Sequence, residues 1–409
     1  MFQRFLRYVE KVFHFSQRCA GLTDHRSAPR IPPLAVWLCV LGLYLLRLRS
    51  LNQLEQVLRS SPRWTAWLGS PPPSADTVGY ALARFELAGL RGLLVQTAHR
   101  IKRNKALRRQ WPEPFWVAAL DGHELWASRS RHCGGCLVRT LETAQGLVTE
   151  YYHRVVVCQL VGVTPPLILD LELQGPGEGE ITTARRLLER VLRTYPRFFD
   201  VLTLDALYLE APLINQALAA GKDVVVVLKQ EARAVYQDAQ GLWPLVVPEH
   251  IEEPTRSLRI WDVAELTTLT GVDHPVRVVR ALETTRQRRR VAGQWQNESQ
   301  EHEGCWLTTL APARGGAVTV VRWGHARWDI ENRGFNELVQ HWHLDHCFKH
   351  DPTAIEAFLL TLAVAFALTS VFFARNLKPP MRAGRTRLFL AWLFTVSLMN
   401  EGDVHARSP

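Results

Sequence analysis

The chain has 409 residues, roughly two or three domains' worth, and at 47% hydrophobic and 22% charged residues it can bury substantial cores, which excludes a disordered protein. Lys and Arg number 49 against 39 Asp and Glu, a net charge of +10 that favours a polyanionic partner, nucleic acid before an anionic membrane surface. The 7 cysteines are odd in number and scattered, with no signal peptide ahead of them, and read as free thiols in a reducing cytoplasm.

Residues 1–98 read as a helical unit. MFQRFLRYVEKVF opens an amphipathic helix, and the apolar run LAVWLCVLGLYLL (34–46) is too short to span a bilayer. Ser74 and Asp76 suit the start of one helix over TVGYALARFELAGLRGLL. A basic stretch follows, HRIKRNKALRRQWPEP (99–114). Its Lys102, Arg103 and Lys105 serve either a solvated linker or a strip against phosphates.

Residues 115–230 change to a strand pattern. FWVAAL (115–120) is a short apolar strand ending at Asp121. YYHRVVVCQLVGV (151–163) and PLILDLEL (166–173) make a hairpin, TTARRLLERVLRTY (182–195) a threonine-capped helix, and DVLTL (200–204) a strand ending at Asp205. After the helix APLINQALAAG, DVVVVLK (223–229) has the β-branched continuity of a strand buried on both faces. Strand, strand, strand, helix, strand, helix, strand is an α/β order. Residues 231–322 then read as a β-rich insertion of short pieces, including SLRIWDVAEL, HPVRVVRALETT, GCWLTTLA and AVTVVRW. It carries the basic run RQRRR (286–290), with Arg288, Arg289 and Arg290.

GHARWDIENRGFNELVQHW (324–342) reads as one amphipathic helix with Trp328, Phe335, Leu338 and Trp342 on its apolar stripe. The same spacing puts Glu331 on that stripe, where a charge needs a reason. AFLLTLAVAFALTSVFFA (357–374) approaches membrane-spanning length, but its flanks make a buried core helix the better reading, without a membrane.

Asp121 and Asp205 each end a strand, where ligand sites of open α/β sheets form. Together with Glu331 they make three carboxylates that need cations to hold them together, since an ionised carboxylate withdrawn from water costs several kcal/mol unless paired. Mg²⁺, or Mn²⁺, takes oxygen ligands, and two such ions can serve the attacking and leaving oxygens of a phosphodiester. Arg327 precedes Glu331 by one helical turn and either pairs with it or touches a phosphate, while Asn332 and Asn336 either contact the substrate backbone or form a polar face. In RHCGGC, Cys133 and Cys136 have a spacing that zinc could use. No second pair stands at an obvious partner distance, so a reduced turn is the expectation. The patch His341, His343, His346 and His350 reads as non-metal, and Glu178 and Glu180 as a solvated loop at a helix start.

LDGHEL around Asp121, DALYLEAPLINQALAAGKDVVVVLK after Asp205 and RWDIENRGFNELVQHW around Glu331 together resemble the DDE transposases of bacterial insertion sequences. The resemblance implies a ribonuclease H-like core holding Asp121, Asp205 and Glu331 as the metal triad, with the insertion before Glu331 and residues 323–400 forming the Glu331-bearing catalytic helix and the C-terminal helices. It also implies that residues 1–98 bind DNA or dimerise, and that the chain, a homodimer on DNA, cuts at terminal inverted repeats and joins the 3' ends to target DNA. The subgroup signature Tyr, two residues, Arg, three residues, Glu, six residues, Lys is met by Arg327 and Glu331. Gly324 holds its Tyr place and Leu338 its Lys place, with His325 and Asn336 the nearest substitutes. The alternative is a transposase-derived DNA-binding protein that no longer cuts, against which the three intact acids stand.

Overall fold

Phe2, Phe5, Val9 and Phe13 recur at helical spacing, and all four are buried on one face of helix α1 (Phe2–Phe13). The computed structural model describes residues 1–400 apart from 61, 145, 230, 232, 292 and 293, and excludes the side chains of 62, 63, 287, 289, 291, 297, 399 and 400. The apolar run after α1 forms α2 (Pro33–Leu45), with nearly every residue buried. The single helix expected from Ser74 is two. Ser74 caps α3 (Ala75–Leu82), accepting from the Thr77 amide at 3.2 Å; the backbone then leaves the helix where Phe85 bridges Asp24. Glu86 bonds the Thr23 carbonyl and caps α4 (Leu87–Arg103). Lys102 and Arg103 thus lie on the last turn of α4 rather than in a linker.

The described residues form a ten-stranded mixed sheet. Its first half comprises β1 (Val117–Ser128), β2 (Leu137–Thr143), β3 (Gly146–Val161), β4 (Leu167–Leu173), β5 (Val201–Leu204) and β6 (Asp223–Val227). The expected hairpin is present: β3 pairs antiparallel with β4, Val155 opposite Leu173, and its earlier half pairs with β2. β1 lies between antiparallel β3 and parallel β5, and β5 is parallel to β6. Helix α5 (Glu180–Thr194) crosses from β4 to β5, and α6 (Ala211–Ala219) connects the parallel strands β5 and β6. α5 starts two residues before the threonines expected to cap it, with Gly179 at the N-cap.

The rest of the sheet is a meander of β7 (Glu249–Glu253), β8 (Arg256–Leu266), β9 (Val276–Val291) and β10 (Gln294–Thr308), and it continues the same sheet because β10 pairs with β6, Leu307 opposite Val226. Its strands are long rather than short: β9 and β10 stay paired from Arg277–Thr308 to Val291–Gln294. AVTVVRW is not a strand. It begins helix α7 (Ala317–Ala326), whose residues 317, 319–321, 323 and 324 are buried at helical spacing.

The expected helix over 324–342 is interrupted by a π-helical segment (Ile330–Phe335) before α8 (Asn336–Trp342). The wider turn moves the buried stripe to Ile330, Phe335, Leu338 and Trp342, leaving Trp328 51% exposed and Glu331 half-buried at the edge. α9 (Pro352–Val371) is apolar on all sides, and 94% of its most apolar stretch is buried, the expected core helix. It packs against α2, α4 and β4. The last helix, α10 (Arg387–Asn400), closes back on the amino end: Phe394 lies 6.0 Å from Phe2, and the Met1 amine donates to Ser397 Oγ at 2.8 Å.

Candidate active site

Asp121 is not at the end of its strand. β1 runs on to Ser128, paired with β3 along its length, Asp121 opposite Val157. Its parallel partner β5 follows only as far as Ala119 opposite Thr203, then ends at Leu204. Asp121 therefore lies just past the last parallel pair, where β5 has turned away. Asp205 is where it turns, as N-cap of the 3-10 turn Ala206–Tyr208. Both aspartates thus face the crevice at the carboxyl ends of the parallel strands, though only Asp205 terminates one.

Glu331 reaches this crevice because the π segment is seated on the sheet by named contacts. Asp329 accepts from the Gly162 amide at 2.8 Å, and Gln159 Nε2 lies 3.4 Å from the Asp329 carbonyl. Phe335 stacks on His123 of β1 at 4.6 Å. Gly334 faces Gln159 so closely that a Cβ there would stand 2.7 Å from its Oε1, and any larger residue would have to push that side chain aside.

Arg327 joins two of the three acids. Its Nη1 donates to Asp121 Oδ2 at 3.1 Å and to Glu331 Oε1 at 2.8 Å, with the guanidinium buried. The two readings of Arg327 meet here: it pairs with Glu331, but it also spans to the strand. Its Nε is buried without a protein partner among the described residues. Asp205 stands apart from this pair, with Lys229 Nζ 3.8 Å from its Oδ1.

Negative charge is in excess. Burial pushes the Asp121 carboxyl up to about 6; Arg327 opposes that, and Glu331 and Glu180 add to it. Glu180 is therefore not in a solvated loop. Its carboxylate packs on Gly122, in space a Cβ would fill, accepts from Tyr208 Oη at 2.6 Å and pairs with Arg154. Glu178 instead pairs with Arg186 at 2.7 Å. Glu180, Tyr208 and Arg154 were missed from sequence, where only the three-residue step from Asp205 to Tyr208 hints at them. A set of hard oxygen donors carrying more charge than one guanidinium neutralises fits a divalent cation such as Mg²⁺, which would be held by Asp121, Asp205 and Glu331.

Beside Asp205 opens a cavity of about 380 Å³ walled by Trp306, Tyr236, His325 and Trp328. Trp306 also explains the glycine at position 324, since any side chain there would collide with its indole. Leu338 is a core residue, 2% exposed, so its place in the helix has been given to packing. His325 bonds Glu283 at 3.1 Å.

The predicted DNA-contacting residues do not converge. Asn332 and Asn336 are exposed and 3.4 Å from each other. The Lys102 ammonium donates to the Arg197 carbonyl and lies over the Phe198 ring; burial holds its pKa down at about 8. Arg103 and Lys105 are exposed nearby. Arg288 and Arg290 are exposed near the tip of the β9–β10 hairpin, Arg288 over the Trp295 ring at 5.8 Å, and the Arg289 side chain lies outside the described residues.

A family model described as a transposase DDE domain matches residues 149–368, which is more than half of the chain and includes Asp205, Arg327 and Glu331 while beginning after Asp121. No curated protein matches the chain. The acid-bearing crevice and the extent of that match lead to one conclusion: the chain belongs to the DDE transposase family.

Proposed function

We propose that Asp121, Asp205 and Glu331 form the metal-holding triad of a DNA-cutting and joining site. Family membership makes the protein a transposase, with DNA as its partner and divalent metal ions as its cofactors. The observation that carries the assignment is the Arg327 guanidinium on both Asp121 and Glu331, residues 210 apart in the chain, beside the strand end that bears Asp205. The strand order β4, β3, β1, β5, β6, with the last three parallel, supports a ribonuclease H-like core extended by the 231–322 insertion.

Bound Mg²⁺, as one or two ions, supplies Lewis acidity to a scissile phosphodiester and an activated water or 3' hydroxyl. Asp121, Asp205 and Glu331 hold and orient that charge. Arg327 offsets the mutual repulsion of the two carboxylates it bonds, Asp121 and Glu331. The aromatic wall of the neighbouring cavity receives a base of the DNA end. Arg288, Arg289, Arg290, Lys102, Arg103 and Lys105, with Asn332 and Asn336, contribute backbone contacts. The substrate is the element's terminal inverted repeats, held as a pair by a homodimer, and the freed 3' ends join target DNA by transesterification.

The test is nicking of a duplex carrying the DNA that flanks this reading frame. Asp121→Ala and Asp205→Ala should each abolish Mg²⁺-dependent nicking while duplex binding persists, because affinity comes mainly from phosphate neutralisation elsewhere. Wild-type nicking by either variant would remove that residue from the site.

A further inference from the structure

Among the described residues, one set of three or more His, Cys, Asp or Glu side chains has donor atoms that all lie within 4.8 Å of one another, and it is not the acid crevice. It comprises Cys133 and Cys136 in the turn after β1, His153 on β3, and His350 just before α9. Cys133 Sγ and Cys136 Sγ are 3.7 Å apart. His153 Nε2 lies 3.4 Å from the first and 3.3 Å from the second, and His350 Nε2 lies 3.2 Å from Cys136 Sγ.

We propose that Cys133, Cys136, His153 and His350 form a closed structural zinc site. The four separations are close to the edges of a tetrahedron, and the remaining two lie within 4.8 Å. With Zn–S near 2.3 Å and Zn–N near 2.0–2.1 Å, sulfurs stand about 3.8 Å apart and sulfur and nitrogen about 3.5 Å. A disulfide does not explain the pair, since a bonded S–S distance is about 2.0 Å. Two thiols and two imidazoles are the soft and borderline donors that zinc takes in structural sites, and four protein ligands leave no open position for chemistry.

The surroundings are arranged for the same end. The Cys133 amide donates to Cys136 Sγ at 3.2 Å, a bond that suits a thiolate. Cys136 and His153 are buried, Cys133 and His350 half-buried, and the Trp126 ring packs 5.5 Å from His153 and 6.4 Å from His350. Gly135 lets the turn close on α9, because a Cβ there would stand 2.7 Å from Pro352 Cγ. Cys347, three residues before His350, is outside the set.

Such an ion ties together three segments far apart in the chain. Trp126, opposite His153, lies on β1 five residues beyond Asp121, and His350 follows the α8 helix that leaves Glu331. Zinc would therefore set where the Glu331 segment sits against the Asp121 strand. The site itself stands on its own ligands and does not depend on the assignment of the acids.

The test uses the full chain, produced with zinc in the medium, freed of any histidine tag and kept under thiol reductant. Atomic emission should find one zinc per chain, and zinc K-edge absorption should give two sulfurs near 2.3 Å and two nitrogens near 2.0–2.1 Å. Cys136→Ser and His350→Ala should lose the metal, whereas Cys347→Ser and Cys305→Ser should keep it. If the ligand variants do not fold, the wild-type absorption spectrum decides. No zinc in the folded wild-type protein, an oxygen-only coordination shell, or full zinc content in Cys136→Ser would each overturn the site.

Discussion

At the scale of single residues, the acid crevice holds more carboxylates than the single Arg327 guanidinium neutralises. Asp121 has its pKa raised from 3.8 to about 6, and that net shift already includes the favourable pull of Arg327. The folded protein binds the proton more tightly than the unfolded chain does, so stability falls as pH rises from 3.8 through about 6. In Mg²⁺-free buffer the melting temperature should therefore drop across that window, and Asp121→Asn should flatten the drop and gain about 2–3 kcal/mol near neutrality. A wild-type profile parallel to that of the variant would show that Asp121 is not the group responsible. Glu331 makes a sharper contrast. Glu331→Gln keeps an oxygen for Arg327, which also retains Asp121, so it should melt within about 1 kcal/mol of wild type while losing Mg²⁺-dependent nicking. Arg327→Ala leaves Asp121 and the half-buried Glu331 facing each other without their shared cation and should cost about 1–3 kcal/mol, with added Mg²⁺ recovering part of the loss. Early melting of Glu331→Gln with nicking preserved would make the pair structural.

At the scale of elements, the long β9–β10 hairpin and the π segment do different work. The hairpin extends the sheet and carries RQRRR toward its tip, where Arg286 already pairs with Glu252 at 2.9 Å, so not every charge of the run is available to phosphate. Neutralising Arg288, Arg289 and Arg290 together should weaken binding to all duplexes and flatten the salt dependence by up to about 0.9 log unit per lost phosphate contact. An unchanged slope in a binding titration would make the run an ordinary solvated face. The π segment explains why the helical reading of 324–342 missed the register. A 3.6-residue period carries Trp328 and Glu331 into the core. One wide turn instead rotates Trp328 into solvent and sets Glu331 at the rim of the crevice. The seating of that turn on Gly162, Gln159 and His123 is tertiary and has no period to read.

At the scale of the whole molecule, the helices of both chain ends pack with the sheet as one hydrophobic cluster, crossed by a buried ionic link. Arg91 on α4 pairs with Asp170 of β4 and Glu356 of α9, and Arg190 of α5 also reaches Asp170. Removing Arg91 leaves Glu356 buried without its cation, so Arg91→Ala should cost about 3–5 kcal/mol in denaturant titration. Arg91→Ala with Glu356→Gln should lose less than the two single changes added, because they share one interaction. Strict additivity would mean that the link is not coupled. The amino-terminal and carboxyl-terminal helices were readable as apolar runs, since burial on all sides or on one face leaves a pattern in composition and spacing. The α/β order, the hairpin of β3 with β4 and the β-branched strand β6 were readable for the same reason: each is written in a local run of residues. What lay outside the sequence was every relation between runs. That Asp121 continues past its parallel neighbour, that Arg327 spans to the strand, that Glu180 packs on Gly122, and that His153 and His350 complete a set begun by Cys133 and Cys136 all depend on segments separated by tens to hundreds of residues. Local spacing fixes the elements because helical and strand periods are short. Only the packing of the sheet against its helices decides which donors meet, because that distance is set by the fold and by no period in the chain.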